Sequence, residues 1–329
     1  MTISFPQRLS LAQLPTPFTK LSRISDKYGV NIWIKRDDLT GCALSGNKIR
    51  KLEFTLAKAR AEGCDALITC GGLQSNHCRA TALLGAQLGM EVHLVLRGEQ
   101  DLSQAKDGNL LLDELAGAHI HCFPVKEFAA KLEELLQQQA RQLVAEGKKP
   151  WIIPTGASDG LGVWGYLHAC RELKADFEKE NIQPQAIVCA TGSGGTQAGL
   201  TLGNYLFDLN TQVVGMAVCD NEAWFQNKVR EDIQQWQGKG GVTVDADQMG
   251  ITVNDQYIGP GYGKAGAEVF DCIKEVASLE GVILDPVYTA KAFYGMLQEI
   301  KKGTWIPGDD IVFIHTGGIF GLFPQRDFV

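Results

Sequence analysis

Lys48 opens the stretch of this sequence with the clearest chemical content. It follows the turn Ser45-Gly46-Asn47 and leads Ile49-Arg50-Lys51-Leu52-Glu53-Phe54, an apolar-periodic run that reads as a helix. A lysine on an exposed first turn is simply a solvated charge. Here, however, Arg50 and Lys51 follow closely, and like charge favours the neutral amine, the form that attacks a carbonyl and forms an imine. A basic first turn and a reactive amine both stay open on these residues alone.

Four further clusters fall where apolar runs give way to polar turns. Gly71-Gly72-Leu73-Gln74-Ser75-Asn76-His77 ends a strand and begins a helix, placing polar side chains and free N–H groups where an anion or carboxylate can bind. A cap by Ser75 or Asn76 would account for one of these residues but not the whole cluster. Thr191-Gly192-Ser193-Gly194-Gly195-Thr196 has the same setting. Its glycines let the backbone approach a phosphate, and Ser193 and Thr196 add hydroxyls beside the helix dipole. A dinucleotide fingerprint fails at Gln197, and the acid Asp220 follows about 28 residues on rather than the usual ~20. A Walker A loop fails too, because no Gly-Lys-Ser/Thr ends the run, so a single phosphate is the better fit. Tyr262 in Gly259-Pro260-Gly261-Tyr262-Gly263 and Tyr288 in Asp285-Pro286-Val287-Tyr288-Thr289 stand on constrained turns, suited either to packing or to acid/base work. Ile311-Val312-Phe313-Ile314-His315-Thr316-Gly317-Gly318 reads as a buried strand ending in a hydroxyl and glycines, with His315 buried and hydrogen-bonded.

These clusters need a scaffold that brings turns together, and the rest of the chain alternates strand-like with helix-like patterns. Strands are expected at 31–35, 65–70, 91–96, 119–123, 151–154, 186–189, 213–218, 282–284 and 311–315. Helices are expected after Lys48, at about 75–88, 109–115, 127–146 and 162–179, and after the loop at 192–196. Such alternation implies parallel sheets wound on both faces, with ligands outside the carboxyl ends of the strands.

Composition narrows the classes. A chain of 329 residues with 45% hydrophobic and 21% charged residues suits one large α/β unit or two closely packed domains. A net charge of −7 with dispersed cations gives no footprint for nucleic acid. No apolar run of membrane-spanning length is present, and Met1-Thr2-Ile3-Ser4-Phe5-Pro6-Gln7-Arg8 lacks the apolar core of a signal peptide, so a cytoplasmic protein free of membrane contacts is expected. The nine cysteines form no C-x-x-C pair and read as reduced thiols, with Cys42 and Cys78 near enough to the motifs to be reactive. His119 and His121 face one side of a strand, and without a third ligand nearby no metal site is expected.

Taken in order, Lys48, the Ser-Asn-His turn, the phosphate loop, Asp-Pro-Val-Tyr-Thr and His-Thr-Gly-Gly resemble pyridoxal-phosphate enzymes of the tryptophan synthase β type. The closer resemblance is to the branch containing D-cysteine desulfhydrase, 1-aminocyclopropane-1-carboxylate deaminase and L-cysteate sulfo-lyase, and it extends from Leu14-Pro15-Thr16-Pro17 to Gly318. It implies an α/β fold of two intimately packed, open, twisted, mostly parallel sheet domains, the type II fold of pyridoxal-phosphate enzymes. The large cofactor-binding domain would span 1–50 and 155–329, the small one 51–154, with the active site between them and a homodimer as the assembly.

The resemblance also implies roles. Lys48 would hold pyridoxal 5'-phosphate covalently and shuttle the Cα proton of an amino-acid substrate, and Lys51 would assist in holding the cofactor. Asn76 would bond the ring oxygen of the cofactor, while Thr191, Gly192, Ser193, Gly194, Gly195 and Thr196 would hold its phosphate. Thr289 or Thr316 would meet the pyridine nitrogen, where a neutral hydroxyl favours prompt loss of a β-leaving group. Ser75, Asn76 and His77 would take the substrate carboxylate, and Tyr262 and Tyr288 would flank the substrate, Tyr288 as acid or base.

Ring-opening deaminases of this branch carry Glu after the tyrosine and Leu between the His and Gly-Gly, whereas here Thr289 and Thr316 stand. α,β-Elimination from D-cysteine or a close analogue, giving sulfide, ammonia and pyruvate, is therefore the leading expectation. The alternatives are 1-aminocyclopropane-1-carboxylate deamination, cysteate desulfonation, a nucleotide-binding oxidoreductase or binding protein, and a catalytically silent cofactor-binding protein. Ser45, Asp159, Trp164, Ile319 and Phe320 depart from the family pattern at or near the expected pocket, and an acidic Asp159 facing it would disfavour a sulfonate.

Overall fold

Two sheets organise the chain in the computed structural model, which describes residues 3–98 and 106–328; Met1 and Thr2 of the N-terminal run lie outside the described residues. The chain runs β1 (Phe18–Lys20), α1 (Ser22–Tyr28), β2 (Asn31–Lys35), α2 (Lys48–Ala61), β3 (Ala66–Gly72), α3 (Asn76–Leu88), β4 (Glu91–Arg97), α4 (Gly108–Leu115), β5 (His119–Phe123), α5 (Val125–Ala145) and β6 (Pro150–Ile152). It continues through α6 (Val163–Glu180), β7 (Ala186–Thr191), α7 (Gly195–Leu206), β8 (Gln212–Ala217), α8 (Glu222–Gly238), β9 (Thr252–Asn254), α9 (Ala267–Glu280), α10 (Thr289–Lys301) and β10 (Asp310–Ile314). The six-stranded sheet has the order β1-β2-β10-β7-β8-β9 and the four-stranded sheet β5-β4-β3-β6. All pairings are parallel except that of β1 with β2.

The apolar runs form central strands because alternate residues feed different cores. In β7, Ala186, Val188 and Ala190 join Val269, Phe270 and Phe293 of α9 and α10, while Ile187 and Cys189 join Tyr166, Leu173 and Leu200 of α6 and α7. A strand covered on both faces cannot alternate apolar with polar residues, which is why β7 is buried throughout. The smaller sheet repeats the arrangement. Leu67, Val92 and Leu94 meet α2 and α3, whereas Ala66, Ile68 and Val95 meet Phe128, Leu136 and Leu143 of α5. Each such aliphatic side chain contributes on the order of 1.5–3 kcal/mol by leaving water.

One expected strand is absent. Residues 282–284 have no regular secondary structure and join no ladder, because both edges of β10 are already paired with β2 and β7. Val282 and Leu284 still enter the core, and the Ile283 carbonyl accepts a bond from His315 Nε2 at 3.0 Å instead of from a strand. The non-donating Pro286 follows closely.

Candidate active site

The strand-to-helix turns converge on a cavity of about 740 Å³. Lys48, the first residue of α2, lines it together with Ser75, Asn76, His77, Thr191, Gly192, Ser193, Gly194, Thr196, Tyr262, Tyr288 and Thr316. Its turn is fixed against the end of β10: Asn47 N donates to Thr316 O at 3.1 Å. Gly46 has φ +113°, and a Cβ there would lie 2.8 Å from the same carbonyl, so no other residue fits this approach.

Burial pushes the Lys48 amine down to about 8. That is the direction expected from sequence, but the cause differs. Arg50 turns away, bonding Asp37 at 2.8 and 2.9 Å and Glu172 at 2.8 and 2.9 Å, so its charge is spent in a buried network. Lys51 is fully buried outside the cavity lining, with Nζ 3.2 Å from Ser158 Oγ and 3.3 Å from Gly156 O. Its pKa is held well below the usual lysine range by burial and then by the Lys48 charge.

The loop after β7 gathers hydroxyl and N–H groups in one place. Ser158 Oγ accepts from Gly195 N at 3.2 Å and lies 2.8 Å from Ser193 Oγ, and Asn47 Nδ2 donates to Thr196 Oγ1 at 2.9 Å. A Cβ on Gly195 would come 2.8 Å from Ser158 Oγ and 2.9 Å from Lys51 Nζ, so the α7 terminus and the Lys51 amine share one small space. That donor set suits a phosphate and, with Lys48 across the same cavity, suits pyridoxal phosphate. Thr191 is turned partly inward, its hydroxyl donating to Gln197 Oε1 at 3.0 Å.

Two expected ligands differ in place or chemistry. Thr289 is buried outside the cavity; its hydroxyl accepts from Asp285 N and donates to Asp285 Oδ1, both at 2.7 Å, which closes the turn before α10. Of the two threonines considered for the pyridine nitrogen, only Thr316 lines the cavity. His77 lies 2.8 Å through Nε2 from Thr69 Oγ1, which itself donates to Ile153 O at 2.9 Å. Nε2 must therefore carry the proton, leaving Nδ1 as a buried acceptor without a partner. Burial, then the charges of Lys48 and Lys51, hold the ring neutral, so its side chain offers no donor to a carboxylate. Ser75 caps α3, accepting from Cys78 N at 3.2 Å, while lining the cavity.

Tyr262 and Tyr288 form the opposite wall, their hydroxyls 2.6 Å apart. Burial raises both phenols; for Tyr262 the bond with Tyr288 and the charge of Arg97 oppose that rise. Arg97 sits over the Tyr262 ring at 5.0 Å. The glycine-rich Tyr262 loop is held by Lys291, which donates to Ile258 O at 2.8 Å and Gly261 O at 2.7 Å.

Sequence reasoning missed Asn47, Ser158, Lys291, and the wall made by Trp224, Lys228, Glu231 and Gln235 of α8. The adjacency of Asn47 to Lys48 was a usable signal, whereas the α8 residues read as an ordinary polar helix face. Of the five departures from the family pattern, only Asp159 lines the cavity, and its charge is offset by Lys239 at 2.8 Å. Trp164 instead packs between Phe5 and Trp236, and Phe320 lies under Arg79.

Away from the cavity, Cys78 is buried and its thiol is pushed well above the ordinary range by that burial, which removes it as a reactive candidate. His119 does have further neighbours: Glu91, His93 and His119 bring potential ligand atoms within 4.8 Å of one another. The His93 and His119 rings are stacked at 13°, a geometry in which their in-plane lone pairs do not meet at one ion, and Glu91 is paired with Lys148. We assign no metal there.

The pattern of the family described as "Pyridoxal-phosphate dependent enzyme" matches residues 9–317, and the chain belongs to that family. The "Bifunctional D-cysteine desulfhydrase/1-aminocyclopropane-1-carboxylate deaminase, mitochondrial" of Arabidopsis thaliana is 41% identical over 326 residues, covering 97% of this chain and 80% of the relative. The "D-cysteine desulfhydrase" of Salmonella newport is 40% identical over 329 residues, covering 99% and 98%. The solved "ACC deaminase homologue" superposes with a TM-score of 0.89 at 39% identity, covering 98% of this chain and 94% of the other. The resemblance seen in the motifs is thereby borne out, with its type II fold, its pyridoxal 5'-phosphate dependence and its lyase class. Among the described residues no helix is long and apolar enough to cross a membrane.

Proposed function

We propose that the protein catalyses α,β-elimination from D-cysteine or a close β-substituted alanine, releasing pyruvate, ammonia and sulfide. The carrying observation is Thr316: a hydroxyl lines the cavity where ring-opening relatives have Leu. Thr289 no longer contributes to that argument, because its hydroxyl is spent on Asp285. The relatives' names include both activities, so 1-aminocyclopropane-1-carboxylate remains the alternative substrate; the offset charge of Asp159 removes the objection to cysteate. A silent cofactor-binding protein is not favoured by these relatives.

Bound pyridoxal phosphate supplies the electrophilic carbonyl and the electron-withdrawing ring. Lys48 would anchor it, Gly192 to Thr196 with Thr191 and Lys51 would hold its phosphate, Asn76 would meet its ring oxygen and Thr316 would meet the pyridine nitrogen. The α3 terminus receives the substrate carboxylate through the Ser75 hydroxyl and the backbone N–H groups of Asn76 and His77, the Ser75 N–H being already given to Gly72 O. Lys48 Nζ, made available as a neutral amine by burial, takes the Cα proton. As the Cβ–S bond breaks with its electron pair going to sulfur, Tyr288 gives that sulfur a proton, and Tyr262 keeps the hydroxyl oriented. The released 2-aminoacrylate takes up water to give pyruvate and ammonia.

The division into a large unit, 1–50 and 155–329, and a small one, 51–154, is part of the proposal. It is supported by the four-stranded sheet, whose strands all come from residues 66–152. A cytoplasmic homodimer completes the reading, for which sedimentation of the purified protein is the direct check.

Lys48→Ala tests the mechanism. Sulfide and pyruvate release from D-cysteine should fall to background, and retained turnover would overturn the assignment of Lys48.

A further inference from the structure

The cavity holds a polar side chain whose orientation is set from outside it. Asn76 is the first residue of α3 and lines the cavity. Behind it lies Asn109, near the start of α4 and fully buried. Asn109 Nδ2 is 3.1 Å from Gln74 O and 3.0 Å from Asn76 Oδ1. The Gln74 side chain ties the same two segments together, accepting from Asn109 N at 2.8 Å and donating to Asp107 O at 3.0 Å.

This arrangement fixes which end of the Asn76 amide faces inward. Gln74 O is a backbone carbonyl and can only accept, so Asn109 must turn its NH₂ group towards it. The second N–H of that group points at Asn76 and needs an acceptor. Asn76 therefore gives Oδ1 to Asn109, leaving Nδ2 as the end free for the cavity. The flipped amide would set two NH₂ groups against each other in a buried space, where an unmet donor costs most.

We infer that Asn109 is a positioning residue: it holds the Asn76 amide with its donor inward, ready for an acceptor oxygen on the ring of bound pyridoxal phosphate. The inference rests on the reading that Asn76 meets that oxygen. It gives α4, which supplies no residue to the cavity lining, a part in cofactor binding.

Asn109→Asp is nearly isosteric but cannot donate. Its carboxylate would draw Asn76 Nδ2 outward and turn Oδ1 toward the ring oxygen. Asn109→Ala only frees the amide to rotate, and Asn76→Ala removes it. Two readouts avoid turnover: the dissociation constant of pyridoxal phosphate from equilibrium dialysis, and the pH midpoint of the visible absorbance of the loaded protein. Asn109→Asp is expected to weaken cofactor binding roughly tenfold or more, as Asn76→Ala does, and to move the pH midpoint. Asn109→Ala should do so by a smaller factor, and apo-protein melting separates this from loss of fold. Unchanged readouts in both Asn109 variants, with Asn76→Ala altered, would overturn the inference. Unchanged readouts in Asn76→Ala would instead overturn the role of Asn76 itself and the inference with it.

Discussion

The Tyr262 and Tyr288 hydroxyls share a hydrogen bond of 2.6 Å, with their rings edge to face at 76°. Burial raises both phenols, so each stays protonated and either hydroxyl can donate in the shared bond. A donor that stays protonated suits delivery of a proton to a departing sulfur.

The pair should therefore act as a unit. Tyr288→Phe is expected to lower kcat on D-cysteine by about 10² or more. Tyr262→Phe should have a smaller effect, and the double variant should be little worse than Tyr288→Phe alone. Steady-state kinetics of the three variants checks this; independent, multiplying losses would show that the two hydroxyls act separately.

The Lys48 amine gives a pH expectation. Only the neutral form attacks a carbonyl, and with a pKa of about 8 the rate of cofactor addition to the apo-protein should rise about tenfold per pH unit below that value and level off above it. An ordinary lysine would keep gaining to about pH 10. Stopped-flow absorbance from pH 6 to pH 10 distinguishes the two.

The loop after β7 has no room for a methyl group at Gly195, where a Cβ would lie 2.8 Å from Ser158 Oγ and 2.9 Å from Lys51 Nζ. Gly195→Ala is expected to weaken pyridoxal-phosphate binding at least ~10-fold and to cost about 1–3 kcal/mol of stability through overpacking. Equilibrium dialysis and urea unfolding measure the two losses.

The turns were legible in the sequence because their chemistry is local. Lys48, Gly192, Ser193, Gly194 and Thr196 stood out by residue type and order, and all of them line the cavity. What the sequence did not show depends on distant partners. The Thr289 hydroxyl looked free until Asp285 proved to hold it, and His77 looked like a carboxylate ligand until Thr69 fixed its proton on Nε2. The segment at 282–284 has strand composition, but β10 had no free edge to offer it. Arg50 looked like a charge crowding Lys48, whereas the partners that turn it away, Asp37 and Glu172, lie 13 and 122 residues distant.

That Arg50 network should be a large element of stability. Asp37 accepts from Arg50 and from Tyr166 Oη at 2.6 Å and Thr16 Oγ1 at 2.8 Å, all in the interior. Arg50→Met would leave the buried carboxylate without its cation, and a loss of about 3–5 kcal/mol is expected in urea unfolding of the apo-protein. Arg50→Lys should not restore it, because one ammonium cannot reproduce the bidentate contact.

β-Elimination from D-cysteine is tested by 2-oxo acid release by the cofactor-loaded protein from D-cysteine, L-cysteine, 3-chloro-D-alanine, D-serine, L-cysteate and 1-aminocyclopropane-1-carboxylate. Pyruvate is expected, with D-cysteine ahead of the other natural amino acids and of the cyclopropane. Release of 2-oxobutyrate from the cyclopropane as the dominant activity would contradict it and assign Thr316 to a ring-opening site.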